Sequence, residues 1–276
     1  MKSENLFDVY DFVSIENKYT PNKPCPYFTK VPDGLIQCNL RKQYKLHRIF
    51  YIIYILIDRH RSRDNQSYIM ISEVLSLCGY KISTHKKKIF YEIIKCILFL
   101  HDSQMIVLSP KIDIDHVGYN DCIQVDIVCA NFDPIKNFTT ITTSQWEFIT
   151  NNQTLINTEN ILSVFLYINS YIYRRKKNDS KIMYPEAFWK SLETMAKDLS
   201  MSKNTINKCI AYLSSSLNGC PALLVKYDQQ IIQYSNNSPP KQIPNIYVLN
   251  QDGYKKEIEL ATQKILQTKK GSRSFR

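Results

Sequence analysis

The side chains with the most specific hydrogen-bonding capacity lie close together near residue 205. Asparagine can pair bidentately with adenine, lysine can reach guanine acceptors or phosphates, and the threonine methyl group can contact the thymine methyl group. All three residue types occur in one short polar run that begins with a serine: Ser202, Lys203, Asn204, Thr205, Asn207 and Lys208. This composition predicts contacts with the base edges and phosphates of double-stranded DNA.

Two short helices are predicted around this run, within residues 191–213. Apolar residues recur there at spacings of three and four, which is the period of one helix face. They are Leu192, Met195, Ala196 and Leu199 in the first helix, and Ile206, Cys209, Ile210 and Leu213 in the second. Residues 200–202 form the predicted turn, in which Met201 points inward and Ser202 caps the second helix. The pattern is typical of a helix-turn-helix, whose second helix enters the major groove. An amphipathic helix pair with a solvated polar face is the alternative.

Strands are predicted after the second helix. Residues 223–225 and 246–249 have strand character, and residues 231–234 form a short apolar run between them. The segment 235–245 is rich in turn-forming residues. This order of elements, two helices followed by a strand, a loop and a second strand, predicts a winged helix. We expect its wing to contact phosphates or the minor groove through Asn236, Asn237 and Lys241.

The charge of the chain favours a polyanionic partner. The 276 residues carry a net charge of +11, with a pI of about 9.1, and 44% of them are hydrophobic, which is typical of a globular protein. Residues 1–135 contain 17 basic and 15 acidic residues, a net of +2, whereas residues 136–276 contain 19 and 10, a net of +9. The excess therefore lies in the half that contains the predicted helix-turn-helix.

An internal repeat predicts two copies of one domain. Residues 65–70 and 178–183 share the pattern N-x-S-x-I-M at an offset of 113 (178 − 65), and long apolar helices are predicted before both, at 45–61 and 160–176. A shorter echo links Phe28-Thr29-Lys30-Val31 to Phe138-Thr139-Thr140-Ile141. The predicted fold class is α+β, mainly α, with two tandem winged-helix domains and short β wings. The predicted boundaries are an N-terminal arm at 1–26, a first winged helix at 27–135, a second at 136–250, and a C-terminal helix with a basic tail at 251–276.

The first copy has its own candidate DNA contacts. A helix over 83–101 is predicted to bury Ile89, Ile93, Ile94, Ile97 and Leu98. Its beginning supplies the candidates Ser83, Thr84, His85, Lys86, Lys87 and Lys88. Strands at 105–108 and 123–128 would form its wing. That wing carries Asp113, Asp115 and Asp121, which would repel phosphate, so the first copy either binds DNA differently or serves mainly in dimerisation.

Three further segments in the second half of the chain are assigned from composition. Residues 183–192 are interpreted as an insertion relative to the first copy. A C-terminal helix over 254–267 is predicted to turn four residues inward: Ile258, Ala261, Ile265 and Leu266. Residues 269–276 are predicted to be a disordered basic tail, of the kind that adds non-specific phosphate affinity.

The motifs of common enzyme classes are not found. There is no P-loop, dinucleotide-binding glycine pattern, G-x-S-x-G or H-E-x-x-H, and the eight cysteines form no C-x-x-C pair or zinc spacing. We therefore expect no catalysis, cofactor or metal.

No signal peptide is apparent, and the apolar run 49–57 is too short to span a bilayer. A cytoplasmic protein with reduced thiols and no membrane association is expected.

The segment around the predicted helix-turn-helix resembles a known family pattern. A proline, then hydrophobic-A-K-x-hydrophobic-x-[MS]-S-x-x-T, matches Pro185 and residues 195–206. This run is similar to helix-turn-helix segments of replication and regulatory proteins of low-GC Gram-positive bacteria and their mobile elements. The tandem arrangement over about residues 27–250 resembles iteron-binding replication initiators of plasmids.

The resemblance implies a non-enzymatic protein that binds repeated double-stranded DNA sites and initiates replication. In that family the first domain often supports dimerisation and the second reads the repeat, so a homodimer and the replication machinery are candidate partners. Two alternatives stay open. They are a transcriptional regulator on the same scaffold and a winged-helix module that binds protein.

Overall fold

The computed structural model describes most of the chain between residues 28 and 271. The described ranges are 28–37, 40–81, 87–110, 112–114, 116–134, 137–172, 184–217, 219–228, 231–232, 241–242 and 244–271. The fold is mixed α+β, and helices predominate. Among the helices in these ranges, none has both the length and the apolar character that crossing a bilayer requires.

The first half of the chain alternates short strands and helices around one long apolar helix. Its elements are β1 Phe28–Pro32, α1 Asp33–Gln37, α2 Leu40–Gln43, α3 Ile49–Arg59, β2 Gln66–Met70, α4 Ile71–Leu77, α5 Lys87–Asp102, β3 Ile106–Leu108, β4 Cys122–Ile127 and α6 Cys129–Phe132. Three of the strands form an antiparallel sheet in the order β2-β4-β3. In its register Ser67 lies opposite Val125 and Ile106 opposite Ile127. The strand that precedes α4 therefore pairs with the second strand of the hairpin that follows α5.

The second half repeats this order. Its elements are β5 Phe138–Thr142, α7 Thr143–Thr150, α8 Thr158–Tyr171, α9 Leu192–Leu199, α10 Lys203–Leu213, β6 Leu224–Tyr227, β7 Ile231–Ile232, β8 Lys241–Gln242, β9 Ile246–Leu249 and α11 Tyr254–Gly271. The pairs β6–β9 and β7–β8 keep the same antiparallel register, so they are two parts of one long hairpin. The predicted strands after the second helix are thereby confirmed.

The segment interpreted as an insertion, residues 183–192, contains a bridge to the hairpin. The backbone of Phe188 exchanges two hydrogen bonds with Tyr247 of β9, each at 2.8 Å. In the first half, β2 pairs in the same way with β4, the second strand of that hairpin. The predicted insertion is compatible with this bridge, because α4 begins at Ile71 and α9 at Leu192, which are 121 positions apart (192 − 71) rather than 113, so the second half does contain extra residues before α9. The second copy of the N-x-S-x-I-M motif, 178–183, lies outside the described residues.

The two predicted echoes at the start of the halves pair with each other. β1 and β5 form a two-stranded antiparallel ribbon in which Lys30 lies opposite Thr140. Phe28 lies opposite Thr142, and Phe138 lies opposite Pro32. The first residue of each strand therefore pairs with the last residue of the other strand. The Thr139 hydroxyl also donates to the Asp33 carboxylate at 2.7 Å. The register of the ribbon itself is therefore approximately two-fold symmetric about the pair Lys30 and Thr140.

A continuous apolar core joins the halves. The long helices α3 and α8 pack against each other, and Phe50, Tyr54 and Phe165 are almost completely buried there. Tyr54 also stacks on Phe132 with ring centroids 4.3 Å apart and donates its hydroxyl to the Phe132 carbonyl at 2.7 Å. Because α8 is buried around nearly its whole circumference, we expect the halves to unfold together.

A second, smaller core lies under the C-terminal helix. Ala261 and Ile265 of α11 are buried against Ile246 and Val248 of β9. Ile258 and Leu266 are half-buried beside them, so the predicted inward face of this helix is confirmed. The helix extends to Gly271, however, so the first part of the predicted disordered tail is helical, and residues 272–276 lie outside the described part of the chain.

The buried side of helix α5 agrees with its prediction only in part. Its buried residues are Ile93, Cys96, Ile97 and Leu100. Three residues predicted to be buried, Ile89, Ile94 and Leu98, are only half-buried, although Ile89 and Ile94 still pack against the edge of the core. The error arose because α5 is apolar on more than one face, so helical spacing alone could not select the face that packs against α3.

The buried face of α5 repeats that of α10. Residues 93–100 read IIKCILFL and residues 206–213 read INKCIAYL, which is again an offset of 113. The shared residues are Ile, Lys, Cys, Ile and Leu, and four of these five are the buried ones in both helices. This signal was present in the sequence and is stronger than the motif from which the repeat was inferred.

The turn between α9 and α10 has the predicted length and an unusual backbone. Met201 is buried, as expected, and Ser200 has a φ of 53°, in the left-handed region that favours glycine. We expect Ser200→Gly to raise the free energy of unfolding by about 0.5–1 kcal/mol, because it removes a left-handed strain of about 1–2 kcal/mol but adds entropy to the unfolded chain. Urea unfolding would measure it. An unchanged or lower midpoint for the variant would mean that the serine side chain stabilises the turn.

Candidate nucleic-acid interface

The helix α10 separates an apolar side from a polar side, as predicted. Its inward residues are Ile206, Cys209, Ile210 and Leu213, each at most 2% exposed. Burial raises the pKa of the Cys209 thiol to about 12, so this thiol is neutral and unreactive near neutral pH. The outward residues Lys203, Asn204, Asn207 and Lys208 are all exposed, and Thr205 is half-exposed. Four side chains able to bind bases or phosphates therefore share one solvent-facing surface, which we call the α10 face.

The start of α10 is defined by its cap. The Ser202 hydroxyl accepts a hydrogen bond from the backbone N–H of Thr205 at 3.0 Å and lies 2.8 Å from the Thr205 hydroxyl. These two predicted DNA contacts therefore already have partners within the helix-turn-helix. Lys203 and Asn204 follow in the first turn, where the positive end of the helix dipole favours an anion such as phosphate.

Lys203 forms an ion pair that sequence reasoning missed. Its ammonium group donates to the carboxylate of Glu193, in the first turn of α9. This hydrogen bond holds the pKa of Glu193 below its usual range. The two residues are ten apart in sequence, but the turn folds the beginning of α10 back beside α9. A phosphate that approaches Lys203 must compete with this carboxylate.

The first half of the chain supports the end of α9. The Arg48 guanidinium donates to the carbonyl oxygens of Leu199, at 3.1 Å, and of Ser200. Lys42 donates to the carbonyl oxygen of Lys197. Cationic groups at the C-terminus of a helix satisfy its last carbonyls and interact favourably with its dipole. These contacts join residues about 150 positions apart, and no sequence pattern indicated them.

The other side of α9 is held by a polar cluster on α8. The Tyr167 hydroxyl donates to the Asp198 carboxylate, and burial together with this carboxylate raises the pKa of Tyr167 far above its usual value. Lys190 lies 3.7 Å from Asp198 and 3.3 Å from the centre of the Tyr171 ring. This combination of ion pair and cation–π contact anchors α9 to the core.

The predicted wing is described only in part. Lys241 lies on β8, opposite Ile232, and Asn236 and Asn237 lie outside the described residues. At the base of the hairpin, Lys226 pairs with Asp228 at 2.6 Å. The described residues place the hairpin directly after α10 in the chain.

The candidate contacts of the first half fall into two groups. Ser83, Thr84, His85 and Lys86 lie outside the described residues, whereas Lys87 and Lys88 are exposed at the start of α5. The acidic loop between β3 and β4 has internal partners. His116 lies 2.7 Å from the Asp113 carboxylate, and the Gly118 N–H donates to Asp121 at 2.7 Å.

The outer surface of α5 differs chemically from the α10 face. At the offset of 113, Tyr91 takes the place of Asn204 and Ile94 the place of Asn207. Only the lysine is retained, as Lys95 and Lys208. In the described part of α5, base-pairing amides are therefore replaced by apolar side chains.

The described ranges contain no group of three histidine, cysteine or carboxylate side chains that could hold a metal ion. Their six cysteines are free thiols, of which Cys78, Cys96 and Cys209 are buried.

No protein-family model matches the chain, and no curated protein matches it significantly.

Proposed function

We propose that this chain is a sequence-specific double-stranded DNA-binding protein composed of two tandem winged helices. The order of elements supports this proposal, since each half runs from a long helix through a short extended segment to two helices and a hairpin. The sheet order β2-β4-β3 is the one expected when the strand between the first two helices of a winged helix joins the hairpin.

One observation carries the proposal: the α10 face presents two asparagine amides between two lysines on a helix that follows a three-residue turn. An asparagine amide can read adenine in the major groove, and lysine adds phosphate or guanine contacts. The apolar side of the same helix is locked into the core, so the face is presented rigidly.

The biological role that we propose is replication initiation for a plasmid or another mobile element. Two similar halves in one chain suit a protein that occupies repeated sites. Assembly on such repeats would help to open an origin or to load the replication machinery, with a homodimer as a candidate form of the protein.

Binding of the full chain to labelled duplex from its own locus tests the proposal. Fluorescence anisotropy would compare this duplex with a scrambled one at several salt concentrations. We expect a preference of at least about a thousandfold for the cognate duplex at physiological salt, with a salt dependence that corresponds to several phosphates. Equal binding of both duplexes, lost together as salt rises, would contradict sequence-specific binding. If the preferred fragment is a promoter without repeats, the protein is a transcriptional regulator instead.

The ion pair at the start of α10 yields a second prediction. We expect Glu193→Gln to raise affinity for cognate and scrambled duplexes alike, because Lys203 then meets phosphate without a competing carboxylate. The slope of log affinity against log salt should steepen by up to about one unit. Glu259→Gln is the matched control, since it removes the same charge from an exposed site on α11. If both variants gain the same affinity for DNA, the change in net charge, and not the loss of the ion pair, explains the increase.

A further inference from the structure

An apolar groove lies along the outer surface of α5. It has a volume of about 380 Å³. Its lining includes Tyr91 and Tyr44, which are 63% and 48% exposed, and the half-buried Ile94 and Leu98. The ring of Tyr44 packs against Phe99 with centroids 4.9 Å apart, which closes one side of the groove. A continuous exposed apolar surface of this kind indicates a binding site.

Comparison with α10 shows that folding does not require this surface to be apolar. The two helices share the same buried residues, yet α10 carries Asn204, Asn207 and Ala211 where α5 carries Tyr91, Ile94 and Leu98. A helix of this type therefore packs into the core with a polar outer side. Ile94 packs partly against the core, but parts of Tyr91, Ile94 and Leu98 form an apolar surface that the described residues leave exposed.

Basic residues border the groove. Lys95 and Asp102 line the groove itself, Lys87 and Lys88 are exposed at the start of α5, and Glu92 is half-buried. Lys95 donates one hydrogen bond to the Lys45 carbonyl at 2.8 Å, and its ammonium group has two further donors. The first three turns of α5 thus favour an apolar partner that carries negative charge.

The chain itself contains a segment with this composition. Residues 4–16 read ENLFDVYDFVSIE and lie outside the described residues. The segment has four acidic residues, no lysine or arginine, and seven apolar residues: Leu6, Phe7, Val9, Tyr10, Phe12, Val13 and Ile15. It is acidic within a basic protein, and it complements the groove in both charge and hydrophobicity.

The connection to the rest of the chain is long enough. Eleven residues separate Glu16 from Phe28, the first residue of β1, and they could span up to about 36–40 Å when extended. β1 and α5 both pack against α3, whose diameter with side chains is about 10–12 Å. The chain can therefore pass from β1 over α3 to the groove.

We propose that residues 4–16 bind the α5 groove of the same molecule, with apolar side chains against Tyr91, Ile94 and Leu98 and carboxylates beside the lysines. This binding does not depend on the proposed DNA-binding function. It would leave the α5 surface occupied by protein, whereas the α10 face stays open.

Hydrogen–deuterium exchange of the full chain tests whether the segment is bound. We expect backbone amides within residues 4–16 to exchange at least about tenfold more slowly than in an unstructured peptide of the same sequence. Tyr91→Asp, at an exposed position, should abolish this protection. Leu155→Asp, at a fully exposed site in the loop between α7 and α8, should preserve it. Unprotected amides in the unmodified protein, or protection that survives Tyr91→Asp, would overturn the proposal.

Zero-length coupling of carboxylates to amines tests where the segment binds. Carbodiimide treatment of an equal mixture of ¹⁴N- and ¹⁵N-labelled protein should join Asp8 or Asp11 to Lys88 or Lys95, with both peptides carrying the same isotope. Cross-linked pairs of mixed isotope would mean that the segment binds a second copy of the chain. If neither aspartate is joined to either lysine, the segment binds elsewhere. Either result would overturn binding within one molecule.

Discussion

Asn204→Ala is expected to reduce the preference of the protein for cognate over scrambled duplex by about 1–3 kcal/mol. Asn204 lies exposed in the first turn of α10, where a recognition helix meets base edges. Its amide can donate to and accept from one adenine, and alanine can do neither. Because the side chain packs against nothing in the core, the thermal midpoint should stay unchanged. Competition anisotropy with the two duplexes would measure the ratio.

The internal repeat offers a matched control for this variant. Tyr91→Ala alters the equivalent position of α5 and should leave the preference for cognate duplex unchanged, because that surface lacks base-pairing amides. Lys208→Ala should instead weaken binding to both duplexes and lower the salt slope by about one unit. An unchanged preference in Asn204→Ala would mean that α10 does not read bases at this position.

Phe165→Ala is expected to destabilise the protein by about 3–5 kcal/mol. Phe165 is fully buried in α8, and this helix packs against α3 of the first half and α10 of the second. The cavity would therefore lie where both halves meet, and we expect one shared unfolding transition at lower urea. Circular dichroism at 222 nm and tyrosine fluorescence should report the same midpoint.

Leu155→Ala is the corresponding surface control. Leu155 is fully exposed, so its truncation should change stability by less than about 0.5 kcal/mol. Two separate transitions in Phe165→Ala, one unaffected by the substitution, would show that the halves unfold independently. If Phe165→Ala lowers the free energy of unfolding by less than about 1 kcal/mol, the surrounding side chains have filled the cavity.

Predictions from the sequence succeeded where the pattern was local and had one dominant period. α9 and α10 have a single apolar face each, so their spacing identified both the helices and the buried side. The cap at Ser202 and the inward face of α11 followed from the same local rules. For α5, which is apolar on two sides, the same rule selected two buried residues, Ile93 and Ile97, and three residues that are only half-buried.

The repeat was inferred from the weaker of two signals in the sequence. One of its motif copies, at residues 178–183, lies outside the described part of the chain. The better evidence was the shared run at 93–100 and 206–213, in which buried positions coincide. Core positions preserve spacing because a change there opens a cavity or causes a clash, whereas surface positions can diverge.

The sequence by itself determined the two-faced helices of the candidate DNA-binding unit, the strands after it and the presence of two similar halves. Helical and strand periods are set by backbone geometry, so they can be recognised from neighbouring residues. Only the tertiary structure decided that β1 pairs with β5, that Arg48 and Lys42 support the end of α9, and that Glu193 holds Lys203. Those contacts depend on which distant surfaces meet. Many cationic side chains could have reached those carbonyls, and packing of the α3–α8 core selects the ones that do.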